Sequence, residues 1–395
     1  MSKEVSEIER QRRLRAAQRV VIKVGTSLVS GAAGEIRSEH IGPLVRSIAG
    51  LKEAGRQVVL VSSGAVGLGA GRLGLHTSRL HDLVVRQACA AVGQSLLMHA
   101  YEQLFREHDV KIAQVLLTED DFSDWKRYTN LRRTMEKLLK LGVVPVVNEN
   151  DTVSTAELEY VASGQERAFG DNDRLAALLM SRLESDALVL LTNVDGLFRR
   201  DPKAVESGSA NKGAPTLIPL VEAIAEELKA VATGPAAGGR GGMATKLEAA
   251  QIAMQAGGIA VIANGMTPAV LDQIFAGVQV GTTFMSASRM AGKRRWLAYA
   301  ADVRGRVIVN EGAREAIIAG KASLLSSGVV RVEQQFDQQD VVSIADCEGR
   351  EFARGIINCA STEAAALVEG TGQLQAGERA RVLVTRDNMV LSEQR

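Results

Sequence analysis

The 395-residue chain has few of the residues that mark specialised folds. It contains three cysteines, seven prolines and only 4% aromatic residues. Cys89, Cys347 and Cys359 are far apart and form no CxxC pair, which argues against a disulfide framework and against a zinc site. Because so few scattered thiols are typical of a reducing compartment, we expect the protein to be cytoplasmic.

The sequence also lacks a charge excess and a long apolar run. Its formal net charge is +1, so no overall field would draw it to nucleic acid or to a membrane surface. No apolar run approaches the roughly 20 residues that cross a bilayer. The arginines of the first segment follow Glu4, Glu7 and Glu9 and precede no apolar stretch, so we expect neither a signal nor a transit peptide.

Three common site motifs are missing as well. No GxGxxG follows the first predicted strand, which argues against a dinucleotide-dependent oxidoreductase. No GxxxxGK precedes a serine or threonine, and the histidines show no HExxH spacing. We therefore assign no metal-ligating residue from the sequence.

Short apolar runs alternate with segments of helical periodicity up to about residue 285. This rhythm predicts an α/β fold with an open, mostly parallel sheet sandwiched by helices. The predicted strands are 19–24, 58–61, 111–117, 143–147, 187–191, 259–262 and 281–285, with a weak one at 216–220. The predicted helices are 41–51, 80–105, 131–141, 175–183, 221–231 and 247–256.

After residue 303 the pattern changes to short β-runs separated by glycine turns, which predicts a small β-barrel domain with two short helices. We expect a linker near residue 296, where the composition changes. The predicted divisions are an N-terminal extension at 1–18, an α/β domain at 19–296 and the β-barrel domain at 303–391. The strands predicted for the last domain are 307–309, 329–332, 341–344, 351–357 and 380–384.

Polar residues follow the buried strands at their carboxyl ends. The run 143–147 ends in Asn148, Glu149, Asn150 and Asp151, and a second cluster, Gly170 to Asp173, precedes the next helical pattern. In open α/β sheets ligands bind beyond the carboxyl ends of the strands. The two clusters therefore predict a ligand site that is rich in acid and amide groups.

Lysines and glycine-rich turns accompany these clusters. Lys23 ends the first predicted strand, and Ser63 opens a small turn after the second. A glycine-rich loop runs from Gly234 to Lys246 and leads into the helix predicted at 247–256. Because glycine lets the backbone approach a phosphate and a helix start carries partial positive charge, this segment predicts phosphate binding.

In their order along the chain these motifs resemble those of the bacterial glutamate 5-kinases. The motifs are Lys23-Val-Gly-Thr-Ser, Ser63-Gly-Ala, Asn148-Glu-Asn-Asp, Gly170-Asp-Asn-Asp and Gly241-Gly-Met-Ala-Thr-Lys. The C-terminal part resembles the PUA barrel of pseudouridine synthases and archaeosine transglycosylases. The resemblance implies an amino-acid-kinase fold, ATP with Mg²⁺, L-glutamate as substrate and the first step of proline biosynthesis.

The resemblance also implies roles for individual residues. Lys23 and Lys246 would contact the transferring phosphoryl group of ATP, and Asp173 would hold the two lysines in place. Glutamate would be bound by Ser63, Asp151 and Asn172. The rest of ATP would be held by Thr192, Asn193, Gly241, Gly242, Met243, Ala244 and Thr245.

Three expectations about partners follow from the same resemblance. Proline would act as a feedback inhibitor at or near the glutamate site. The composition of the segment 155–169, which joins the two acid-amide clusters, predicts a mobile lid or exposed hairpin that could respond to proline, and a passive surface loop is the alternative. Glutamyl phosphate reductase would use the product. The enzyme would be a homo-oligomer, either a dimer or a tetramer.

Two other functions remain open from the residues. A sister enzyme of the same fold would phosphorylate another substrate, such as acetylglutamate, aspartate, carbamate or a nucleotide. An RNA-binding protein with a degenerate kinase domain is the second alternative. Residues 303–395 hold 11 lysines and arginines against 13 aspartates and glutamates, and since nucleic-acid binders carry a basic footprint, this balance argues against RNA.

Overall fold

A computed structural model describes residues 3–31, 34–118, 120–123, 125–153, 172–199, 216–225, 228, 242–285, 303–320, 322–369 and 380–391. The chain divides into two compact units, the first made of residues 1–119 and 130–289 and the second of residues 120–129 and 290–395. The predicted linker near residue 296 and the predicted lid at 155–169 lie outside the described residues. None of the described helices is long and apolar enough to span a membrane.

An eight-stranded sheet forms the centre of the first unit. Its strands are β1 (Arg19–Val24), β2 (Gln57–Ser62), β3 (Ile112–Leu117), β4 (Val144–Glu149), β5 (Ala187–Thr192), β6 (Leu220–Val221), β7 (Ile259–Asn264) and β8 (Thr282–Met285). Their order is β3-β4-β2-β1-β5-β7-β8-β6. All neighbours pair in parallel except β7 and β8. The predicted open, mostly parallel α/β sheet is therefore confirmed.

Helices cover the sheet, and several differ in extent from the sequence prediction; those predicted at 131–141 and 247–256, for example, begin earlier, at Trp125 and Met243. The helix predicted at 80–105 begins only at Leu83, because the Asp82 carboxylate accepts hydrogen bonds from the backbone N–H groups of Val84 and Val85 and so caps it. Val221 is predicted to begin a helix, but it is the second residue of strand β6 and pairs with Phe284 of β8. The helices described before residue 286 are Lys3–Ala16, Thr26–Val29, Ser38–Glu53, Ala65–Arg72, Leu83–Arg106, Asp120–Ser123, Trp125–Lys140, Asn172–Arg182, Met243–Gln255 and Val270–Phe275.

Two helices beside the carboxyl end of β2 are in direct backbone contact. These are Ala65–Arg72 and Leu83–Arg106. A Cβ atom on Gly69 would lie 1.8 Å from the carbonyl oxygen of Cys89, and one on Gly93 would lie 1.8 Å from that of Ala65. Since real atoms never approach so closely, only glycine allows this packing, and the packing fixes the two helices against each other.

The N-terminal helix Lys3–Ala16 is anchored to the first unit by arginines that bind carbonyl oxygens. Arg10 is 1% exposed and donates to the carbonyl of Gly277 over 2.8 Å. Arg13 donates to Gly257 over 2.7 Å, and Arg15 donates to Ala276 over 2.8 Å. These carbonyls follow the C-terminal ends of two helices, where unpaired carbonyl oxygens carry partial negative charge. The arginines thus cap both helices.

The second unit has a separate β-sheet domain. Its strands are β9 (Val303–Val309), β10 (Leu324–Leu325), β11 (Val329–Glu333), β12 (Val341–Ala345), β13 (Glu351–Ile356), β14 (Val382–Val384) and β15 (Met389–Leu391). Five form a sheet in the order β11-β9-β12-β13-β15, while β10 pairs with β14. The two short helices are Glu311–Ile318 and Ser361–Val368. A core that includes Val307, Ile344 and Leu383 lies between these elements, so the predicted separate C-terminal β domain is confirmed.

Candidate active site

A cavity of about 340 Å³ lies at the carboxyl ends of the four neighbouring strands β4, β2, β1 and β5. The chain runs from β1 to β2 on one side and later returns to β5 on the other, so the cavity is at the point where the strand order reverses. This is the ligand position typical of open α/β sheets. Its described lining residues are Lys23, Gly25, Thr26, Ser27, Ser63, Gly64, Ala65, Val66, Gly67, Arg86, Asn148, Glu149, Asp151, Asn172, Thr192, Asn193 and Lys246.

Two buried lysines share one buried carboxylate at this cavity. Lys23 Nζ lies 2.7 Å from Asp173 Oδ1, and Lys246 Nζ lies 2.9 Å from Asp173 Oδ2. Each lysine is 5% exposed, and Asp173 is fully buried. Lys23 reaches Asp173 because side chains alternate along a strand: Ile22 and Val24 face one core cluster, so Lys23 points to the other face of the sheet.

The ion pairs keep Asp173 ionised. Burial alone would raise the pKa of this carboxyl, but the charges of Lys23 and Lys246 and their hydrogen bonds outweigh that effect and hold the pKa below its ordinary value. The cluster therefore carries two positive charges and one negative charge in a water-poor setting. A net positive charge fixed there can stabilise negative charge on a ligand.

The turn after β2 forms a second wall of the cavity. Gly64 has φ +106° and precedes the helix Ala65–Arg72, a left-handed conformation that favours glycine. Ser63 and Gly67 also line the cavity. Backbone N–H groups at such a turn, together with the Ser63 hydroxyl, suit an anionic ligand group such as a carboxylate.

Side-chain amides tie the remaining walls together. Asn172 Nδ2 lies 2.9 Å from Ser63 Oγ, 2.9 Å from Asn148 Oδ1 and 3.2 Å from the carbonyl oxygen of Ser62. Asn148 Nδ2 in turn donates to Gln94 Oε1 over 2.9 Å. The first residue of the helix Asn172–Arg182 is thus attached to the ends of both β2 and β4.

Comparisons with known proteins agree on one family. Residues 18–263 match the amino acid kinase family, and residues 305–373 match the PUA domain. Glutamate 5-kinase of Caldanaerobacter subterraneus subsp. tengcongensis is 44% identical over 347 residues, covering 87% of this chain and 89% of that protein. Glutamate 5-kinase of Moorella thermoacetica is 43% identical over 388 residues, covering 96% and 97%.

The glutamate 5-kinase of Myxococcus xanthus is 45% identical over 345 residues, covering 87% of each chain. The chain belongs to the glutamate 5-kinase family. Its resemblance to that family, based on five sequence motifs, is confirmed over nearly the whole chain. The cavity at the strand ends is accordingly the candidate active site of a glutamate 5-kinase.

Most of the site residues predicted for a glutamate 5-kinase come together in space. Lys23, Ser63, Asp151, Asn172, Thr192, Asn193 and Lys246 all line the cavity. Asp173 lies behind them, between the two lysines. Gly241 lies outside the described residues.

The predicted nucleotide segment has a more specific geometry. Gly242 is the N-cap of the helix Met243–Gln255, with no side-chain cap, so Met243 and Ala244 form its first turn. Thr245 Oγ1 donates to the carbonyl of Gly242 over 2.9 Å and lies 3.3 Å from Asp173 Oδ2. Because backbone N–H groups at a helix start have no intrahelical partner, this turn offers donors to an anion.

The sequence prediction did not assign several residues of the site. Arg86 lines the cavity from the helix Leu83–Arg106, and Gln94 of the same helix binds Asn148. Helical periodicity gave no signal for either, since polar residues in a long helix are usually solvated. Asn148 belonged to the predicted acid-amide cluster, but only its hydrogen bonds reveal that it holds Asn172.

Proposed function

We propose that the chain transfers the γ-phosphoryl group of ATP to the side-chain carboxylate of L-glutamate, which yields L-glutamyl 5-phosphate, the first intermediate of proline biosynthesis. The observation that carries this proposal is the buried cluster of Lys23, Asp173 and Lys246 beside a cavity lined by acid, amide and hydroxyl groups. The homologues named glutamate 5-kinase support the choice of substrate.

The chemistry suits a site without a general base. The glutamate side chain has a reference pKa near 4.3 and is already ionised at neutral pH. One of its oxygens attacks the γ-phosphorus of ATP, the bond from that phosphorus to the bridging oxygen breaks, and ADP leaves without any proton transfer. Lys23 and Lys246 stabilise the negative charge that spreads over the transferring group.

The other walls orient glutamate. Asp151 lines the cavity as a carboxylate that can pair with the substrate ammonium. The Ser63 hydroxyl and the N–H groups of its turn donate hydrogen bonds to the α-carboxylate, and Asn172 provides an amide between the two. In this arrangement the side-chain carboxylate points toward the lysines.

ATP would be bound on the side of β5 and the helix Met243–Gln255. Thr192 and Asn193 line the cavity there, and the segment from Gly241 through Gly242, Met243, Ala244 and Thr245 to Lys246 would hold the phosphates. Mg²⁺ would be bound by the phosphates of ATP and would neutralise part of their charge. One observation supports this: both oxygens of Asp173 are already held by lysines.

Family membership supports several further proposals. We propose that glutamyl phosphate reductase uses the product, that proline inhibits at or near the glutamate site, that the chain forms a homo-oligomer and that the enzyme is cytoplasmic. We also propose that residues 1–18 form an N-terminal extension, that 19–296 form the kinase domain and that 303–391 form the PUA domain.

A hydroxylamine assay tests the activity. Hydroxylamine converts an acyl phosphate into a hydroxamate, so incubation with ATP, Mg²⁺ and L-glutamate is expected to produce γ-glutamyl hydroxamate. N-acetylglutamate is the matched control, because it keeps the side-chain carboxylate but has no free ammonium for Asp151. Equal hydroxamate from both compounds would indicate a sister enzyme of the same fold, and none from glutamate would contradict the proposal.

Asp151→Asn is expected to raise the glutamate KM by roughly 10- to 100-fold, because the amide keeps the size of the side chain but loses the charge that pairs with the substrate ammonium. The ATP KM should stay unchanged. Steady-state kinetics with each substrate varied in turn measures both constants. Asp109→Asn is the matched control: Asp109 is exposed, and asparagine tolerates its φ of +53°. An unaltered glutamate KM would remove Asp151 from the glutamate site.

A further inference from the structure

Gln94, midway along the helix Leu83–Arg106, is joined to the candidate active site through Asn148. Asn148 Nδ2 donates to Gln94 Oε1, and Asn148 Oδ1 lies 2.9 Å from Asn172 Nδ2. Asn148 is 3% exposed, and Gln94 is half-buried without lining the cavity. The three amides form a relay that leads from the helix to the residue proposed to bind glutamate.

Backbone groups determine how the amides of Asn148 and Asn172 are turned. A side-chain amide can place either its oxygen or its nitrogen toward a neighbour. Asn148 Oδ1 accepts from the backbone N–H of Glu149 over 2.9 Å, and a backbone N–H cannot accept. Asn172 Nδ2 lies 3.2 Å from the carbonyl oxygen of Ser62, which cannot donate. Asn148 Nδ2 must therefore face Gln94, and Gln94 must supply the acceptor.

This orientation leaves Asn172 Oδ1 as a buried acceptor. Within the described part of the chain no donor forms a hydrogen bond with it, whereas Asn172 Nδ2 has three acceptors nearby. An unpaired buried acceptor is destabilising, so a bound ligand that brings a donor gains affinity. On L-glutamate at neutral pH only the ammonium can donate, because both carboxylates are ionised.

We infer that Gln94 is a positioning residue: its Oε1 accepts from Asn148 Nδ2 and so holds Asn148 in place against Asn172, whose Oδ1 is then kept as an acceptor for the substrate ammonium. This inference rests on the proposed phosphorylation of glutamate. The backbone contact between Gly93 and Ala65 supports it. This contact fixes where the helix Leu83–Arg106 packs beside the turn that contains Ser63, and Gln94 is the next residue of that helix. Gln94 acts through Asn148 and does not touch the substrate.

Gln94→Met tests this role, because methionine keeps the length of the side chain and removes the acceptor. The glutamate KM is expected to rise roughly ten-fold, at the lower end of the effect of losing a hydrogen bond to a charged group. The inhibition constant of glutarate, which matches glutamate without its amine, should stay unchanged, as should the ATP KM. Gln94→Glu keeps an acceptor for Asn148 and should restore the glutamate KM.

Gln103→Met is the matched control, because Gln103 is exposed on the same helix and should change none of these constants. Circular dichroism checks folding, and Gln94→Ala is the second variant if the methionine perturbs it. The inference is overturned if Gln94→Met leaves the glutamate KM unaltered, if glutarate binding weakens equally, or if only the Mg²⁺ requirement changes. Wild-type enzyme in the same assay separates the two proposals: no hydroxamate from glutamate contradicts both, whereas an active wild type with a normal Gln94→Met KM contradicts this inference alone.

Discussion

Lys246→Met is expected to lower kcat by roughly 10²- to 10³-fold, while the glutamate KM changes much less. Methionine keeps most of the buried stem but removes the charge that stabilises the transferring phosphoryl group. Asp173 would retain Lys23 as its partner over 2.7 Å, so the cluster would become a neutral pair and the fold should persist. Hydroxamate formation measured over a range of glutamate and ATP concentrations gives both constants.

The control for this variant is Lys140→Met, since Lys140 is exposed at the end of the helix Trp125–Lys140 and should leave kcat unchanged. The pattern of constants decides the role of Lys246. If KM rose and kcat stayed the same, the lysine would bind the ground state and the transition state equally, and its proposed role in catalysis would be wrong.

The sheet and the position of the site could be predicted because both depend on local sequence patterns. The runs that became β4 and β5 are apolar and the run that became β1 is apolar apart from Arg19 and Lys23, a composition typical of strands buried on both faces. Lys23, Asn148 and Thr192 stand where those runs end, and parallel strands bring their carboxyl ends to one edge. The positions of these residues in the sequence, together with the predicted parallel sheet, were therefore enough to predict that their side chains lie close together.

Features that depend on packing could not be predicted in this way. The antiparallel pairing of β8 with β7 has no local signal, because both are short apolar runs. The contact of Gly69 and Gly93 joins glycines that are 24 positions apart in sequence. This helix contact brings Gln94 next to Asn148. Neither a sequence motif nor helical periodicity could therefore predict its role.

The pairing of Asp173 with both lysines was expected only from the family resemblance. Its residues are separated by long stretches of sequence, and a carboxylate in the first turn of a helix is explained as well by the helix dipole. Asp173 differs from an ordinary carboxylate at a helix start because it is completely buried and forms two ion pairs. A fully buried charge is retained only when it is paired, which makes this residue the most sensitive point of the site.

Asp173→Asn is expected to lower the free energy of unfolding by about 3–5 kcal/mol and to abolish most activity. The variant removes the one negative charge of the cluster and leaves two buried lysines facing each other, and breaking a buried pair in this way is strongly destabilising. Urea denaturation at neutral pH measures the loss, and Asp109→Asn again is the exposed control. A variant as stable as the wild type would show that the lysines do not depend on Asp173.

The same variant has an expected pH dependence. Because the pKa of Asp173 is lowered in the folded protein, its stabilising effect is fully present above the pKa of the unfolded chain, about 3.9. The effect is lost as the pH falls through the lower, folded-state value. The stability difference between wild type and Asp173→Asn should therefore be constant near neutrality and shrink below about pH 4. A difference that grew on acidification would contradict the lowered pKa.

A double-mutant cycle with Lys23→Met separates charge from packing as the cause of the loss. The single variant Asp173→Asn leaves a net charge of two positive charges in the cluster. The double variant Lys23→Met with Asp173→Asn leaves one positive charge, which is also the net charge of the wild-type cluster. If charge is the cause, the double variant should be more stable than the sum of the two single losses, with a coupling energy of about 1–3 kcal/mol. It should remain inactive, because one of the two lysines that stabilise the transferring group is gone. Additive losses would mean that Lys23 and Asp173 stabilise the fold independently, and the ion pair could not then be what fixes Lys23 in place.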